Sequence, residues 1–83
     1  MPTETETHPR ITVATLMQAA IAVDQECRRL KEQLYGMSED DDRLDVTEEA
    51  LMRMSVANAE LRRVYEDIQK ASDNLPLYSR LVG

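Results

Sequence analysis

The residues able to do chemistry in this chain are few and scattered. His8 is the only histidine and stands next to Pro9. A Ser-His-Asp relay or a histidine-based metal site needs imidazoles with partners at set positions, and a lone His8 offers none. Cys27 is the only cysteine, so no intrachain disulfide can form and an oxidising compartment is not implied. Nothing beside Cys27 in the sequence singles it out for activation, and it reads as a small core residue. With only two glycines, the phosphate-cradling and dinucleotide-binding patterns are absent. No catalytic residue, metal ligand or cofactor site is therefore assigned, and the chain is not expected to be an enzyme.

One cluster of chemistry-bearing residues remains. The chain carries a net charge of −6, and the segment Glu39–Glu49 supplies all of it. Outside that segment acids and bases balance. If Glu49 were the last ligand of a calcium loop, Asp40 and Asp42 would fall at ligand positions. Ser38 would then replace the first aspartate and Arg43 the obligatory glycine, so the pattern fits poorly. A second use for Glu39, Asp40, Asp41, Asp42 and Asp45 is imitation of a phosphate backbone by an inhibitor that binds a basic, nucleic-acid-binding partner. That role needs carboxylates held in a rigid array, which a flexible loop does not supply. No free basic stripe exists, so direct nucleic-acid binding is not expected.

The elements that must position these residues are helices. Composition rich in Leu, Ala, Glu and Arg favours helix over sheet, and 83 residues bound the chain to one domain. Residues 1–11 read as a disordered N-terminal arm with alternating Thr and Glu and two prolines. Thr12 is the expected N-cap of a first helix over 12–36, ended by Gly36. Val13, Leu16, Ala20, Val23, Cys27, Leu30, Leu34 and Met37 alternate in spacings of three and four, a heptad seam. An acidic loop should span 37–45, with Asp45 and Glu48 at capping-box spacing opening a second helix over 46–74. There the seam is Leu51, Met54, Asn58, Leu61, Tyr65, Ile68, Ser72 and Leu75. Ala50, Ala57, Val64 and Ala71, each seven apart, add a second stripe beside it, wider than a two-stranded seam needs. Asn74 and Pro76 should end the helix, leaving an apolar tail at 76–83.

A short connection between two long helices predicts an antiparallel, coiled-coil-like hairpin. From Val13 to Val23 the first helix is apolar nearly all round, so one partner helix cannot cover Met17 and Ile21. The tail, with Leu77, Tyr78 and Leu81, emerges at that end. It would cap the hairpin or dock on another protein. A second copy of the chain would also supply cover and give a four-helix bundle. Asn58, polar on an apolar seam, is either a register-setting residue or an amide turned to water.

The sequence therefore predicts an all-α hairpin that dimerises into a four-helix bundle and acts as a non-catalytic interaction module, an adaptor, chaperone or regulator. Its candidate surface is Met17, Ile21, Asn58, Leu77, Tyr78 and Leu81, and its partners are itself or another protein. The longest apolar run, Ala19–Val23, is too short to cross a bilayer, and Met1–Pro9 has no apolar signal core. No membrane partner is expected, and the chain is read as cytoplasmic.

Overall fold

The computed structural model describes residues 11–83, and the expected arm, His8 included, lies outside them apart from Ile11. The described residues form three helices and no strand: α1 (Val13–Tyr35), α2 (Leu44–Lys70) and α3 (Tyr78–Val82). No helix among them is long and apolar enough to cross a membrane.

Helix α1 begins where the sequence places its cap. Thr12 is extended, and its hydroxyl accepts the Thr15 N–H at 3.1 Å, satisfying one of the free donors of the first turn. The helix ends at Gly36 with three-residue hydrogen bonds, Gly36 N–H to Gln33 O and Met37 N–H to Leu34 O, both 3.1 Å. Gly36 keeps a right-handed backbone (φ −89°), so its glycine freedom is not used.

The start of α2 corrects the expected boundary. Asp45 is not the cap. It lies in the first turn of a helix that begins at Leu44, with Arg43 at the cap position and no side-chain cap bond. The cause is Asp41, whose Oδ1 accepts the Arg43 N–H at 2.8 Å, an Asx-turn, while its backbone carbonyl accepts the Leu44 N–H at 3.1 Å. The chain is thus wound before it reaches Asp45, whose charge instead favours the positive end of the helix dipole.

The end of α2 is also earlier than expected, at Lys70 with Ala71 as cap. Asn74 lies beyond it, in the turn. Tyr65 donates its hydroxyl to Pro76 O at 2.7 Å, which obliges the chain to fold back within a few residues. The tail then forms α3, a short helix rather than an irregular segment.

The two long helices pack antiparallel. Leu16 and Ala20 of α1 meet Tyr65 of α2 at one end, and Asp24 meets Asn58 further along. Every buried residue of α1 (Leu16, Ala20, Cys27, Leu30) is a seam position. On α2, buried Tyr65 is a seam residue, and buried Thr47 continues the same spacing four residues before Leu51. Tyr78 completes the cluster at the open end, with Met17, Leu61, Ile68, Leu75, Leu81 and Val82 packed around it.

Candidate interaction surfaces

The polar centre of the molecule joins all three helices. Tyr78 donates its hydroxyl to Asn58 Oδ1 at 2.8 Å, and Asn58 Nδ2 reaches Asp24 Oδ1 at 3.4 Å. Arg28, one helical turn after Asp24, brings Nε to 2.9 Å from Asp24 Oδ2. That buried oxygen makes its contact with Arg28 as an ion pair. Arg28 also donates to Val82 O at 3.2 Å, tying the end of α3 to α1. The Tyr78 ring sits tilted against Tyr65 with centroids 6.0 Å apart, and the Arg62 guanidinium lies 5.3 Å from its centre. Burial, with the Asp24 charge adding to it, pushes the Tyr78 phenol up, and burial does the same to Tyr65.

These contacts place the candidate surface residues unequally. Met17 and Leu81, both half-buried, come together with Tyr78, which is only 6% exposed and is therefore a core residue that caps the hairpin rather than a contact for an outside partner. Ile21 is half-buried. Asn58 is half-buried too and turned toward Asp24 and Tyr78 rather than water. Of the set, Leu77 alone is freely presented, at 59% exposure.

The acidic residues divide likewise. Asp41 is half-buried and bound by Arg43 through both backbone and guanidinium, with Nη2 to Oδ2 at 3.1 Å. The hydrogen bond from the Arg43 side chain, aided by its N–H, holds the Asp41 carboxyl below the usual range. Glu39, Asp40, Asp42 and Asp45 are exposed. Among the described residues no three carboxylate, thiol or imidazole groups are gathered as metal ligands would be.

A further apolar surface follows the stripe Ala50, Ala57 and Val64, which the sequence shows but which is not among the candidate contact residues. Val46 is 66% exposed and Val64 42%, and both lie on α2 in line with half-buried Ala50 and Ala57. At the Val64 end an open groove of about 430 Å³ runs between α1 and α2, lined by Ile11, Leu16, Ala57, Glu60, Leu61 and Val64. Ile11, 60% exposed, forms its rim. The signal was present in the seven-residue stripe through Ala50, Ala57 and Val64. Val46 was hidden because it adjoined the expected cap. Compared with known proteins, the chain matches no family model, no curated protein and no solved structure.

Proposed function

We propose that the protein is a non-catalytic interaction module that works by helix packing, and that its first partner is a second copy of itself, giving a four-helix bundle. The observation that carries this reading is the uncovered apolar line Val46, Ala50, Ala57 and Val64 with the groove beside it. The open end of the hairpin is closed internally by α3; of the large apolar residues that stay exposed, Ile11, Val13, Tyr35 and Leu77 lie off α2, and Val46, Met52, Val56 and Val64 lie on it. Fully burying an aliphatic side chain is worth roughly 1.5–3 kcal/mol, and a domain of this size has a margin of about 5–15 kcal/mol in all. Covering this line is therefore a large term for so small a chain.

Sedimentation equilibrium across a concentration series tests the reading. The expected result is a mass twice that of the 9.5 kDa chain, shifting to the monomer on dilution. Val46→Asp is expected to abolish the dimer without unfolding the chain, because an acid in the first turn of α2 suits its dipole. A chain that is monomeric at every concentration refutes self-association.

A second reading keeps one supporting observation. Turn hydrogen bonds, Asp41 N–H to Ser38 O and Leu44 N–H to Asp41 O, order the acidic loop while Glu39, Asp40 and Asp42 stay exposed. Such a loop would suit an inhibitor of a basic protein. Under the helix-packing reading, Asp40→Asn with Asp42→Asn leaves the dimer intact. Loss of the dimer in that variant would move the contact to the loop.

A further inference from the structure

We infer that the cleft where the three helices meet binds a small organic phosphate. This cleft, of about 450 Å³, lies around the polar centre formed by Asp24, Asn58 and Tyr78. A concavity of that size, with a few polar groups converging on it, is in the range that holds a small organic ligand. Its walls carry three cations, Arg28 and Lys31 from α1 and Arg62 from α2, against one carboxylate, Asp24. In a chain of net charge −6 that is a local reversal of sign. Ser55 and Ser79 add hydroxyl groups from α2 and α3, and Cys27, Ala59 and Val82 supply apolar lining between the polar groups. The cleft is therefore built from all three helices, and the docking of α3 completes it.

The charges already present leave room for an anion. Asp24 is occupied on both oxygens, Oδ1 by Asn58 Nδ2 at 3.4 Å and Oδ2 by Arg28 Nε at 2.9 Å, and its side chain is only 14% exposed. Its charge thus anchors Arg28 in the wall, while the Arg28 side chain stays 59% exposed. Arg62 pairs with Glu66 at 3.2 Å, but Glu66 is outside the lining, and an exposed pair four apart on one helix holds weakly against a ligand with more charge. Lys31 makes no ion pair among the described residues. A phosphate monoester brings about two negative charges at neutral pH and three acceptor oxygens, which guanidinium groups bind through paired N–H donors. A carboxylate, with one charge and two oxygens, would use less of this wall. The apolar lining calls for an organic body on the phosphate, which an inorganic ion lacks. The cleft uses Asn58, Ala59 and Arg62 of α2 and none of the line Val46, Ala50, Ala57 and Val64, so ligand binding does not depend on the self-association proposed above.

Calorimetric titration of the full chain with phenyl phosphate, inorganic phosphate and benzoate at one ionic strength tests the site, with helicity by circular dichroism as the folding control. Phenyl phosphate is expected to give saturable heat with a dissociation constant below about 1 mM, and the other two to bind at least about tenfold more weakly. Lys31→Gln, which breaks no contact within the chain, and Arg62→Gln are each expected to weaken phenyl phosphate about fivefold. Arg63→Gln, next to Arg62 but outside the cleft, is expected to stay within about twofold of the wild type. Absence of saturable heat with phenyl phosphate overturns the proposal, and so does equal weakening by all three variants, which marks attraction to surface charge at large. Inorganic phosphate bound as tightly as phenyl phosphate overturns the organic body, and benzoate bound as tightly overturns the phosphate. Each of these results leaves the sedimentation test of self-association untouched.

Discussion

Removing the Tyr78 hydroxyl is expected to loosen α3 without unseating it, whereas removing the ring is expected to release it. In Tyr78→Phe the ring keeps its place against Tyr65 and under Arg62, but Asn58 Oδ1 loses the donor it now has at 2.8 Å. A hydrogen bond of this kind contributes a net ~1 kcal/mol, and the half-buried amide has only partial access to water as a replacement. The midpoint of thermal unfolding should fall by about 4–8 °C for that loss in a domain of this length. Tyr78→Ala also removes a ring that is 6% exposed, at a cost of roughly 3–5 kcal/mol. Urea denaturation followed by helical circular dichroism, at fixed chain concentration, measures both. Tyr78→Ala should lower the denaturant slope too, because a detached α3 leaves less surface to expose on unfolding. Combining Asn58→Ala with Tyr78→Phe should cost less than the two changes summed, since they break one bond. If both Tyr78 variants match the wild type within about 0.3 kcal/mol, a margin well below either expected cost, α3 is not docked on the hairpin and the core assigned here is wrong.

Two further outcomes follow from the loops. Gly36→Ala should stabilise the chain by about 0.4–1 kcal/mol, because φ is −89° and an added Cβ would meet nothing closer than Gln33 O at 3.7 Å; a loss of stability in urea titration would contradict that backbone conformation. Asp41 has its carboxyl pKa lowered in the fold by Arg43, so its contribution is present at neutral pH and disappears as acid takes the solution below the ordinary aspartate value of about 3.9. The stability gap between wild type and Asp41→Asn should therefore close in acid, and a gap that stays constant down to about pH 2 would show that the Asp41 charge is not used.

The helical seams were legible because one spacing rule governs them. Leu16, Ala20, Cys27 and Leu30 are buried as that rule requires, and Thr12 caps α1 because a hydroxyl three residues before a free N–H has little else to bind. The boundaries of α2 were not legible. At its start two aspartates compete for the turn, and the choice falls to Asp41 because its carboxylate binds both the N–H and the guanidinium of Arg43. At its end nothing between Ala71 and Asn74 forbids helix. The break is set by Tyr65 holding Pro76, a contact between residues eleven apart. Asn58 stood out as a polar residue on an apolar seam, but its partners come from α1 and α3 and follow only from the packing of all three helices. The same holds for Tyr78: the sequence left its tail either to cap the hairpin or to dock on another protein, and the fold uses Tyr78 to close its own end.

That closure also explains why two apolar surfaces of one short chain can serve different ends. A helix of five residues has no stability alone, so α3 exists because Tyr78, Leu81 and Val82 bury surface and because Arg28 and Asn58 bind it. It reaches α2 through Asn58 and Arg62. Val64 is two residues beyond Arg62 and so projects roughly 200° around the helix, far from α3. Docking of the tail therefore hides the Met17 side of α1 without touching the line from Val46 to Val64. The polar bonds of α3 fix where the tail sits, while Val46 and Val64 on α2 stay exposed. Contacts of the first kind suit a chain folding on itself.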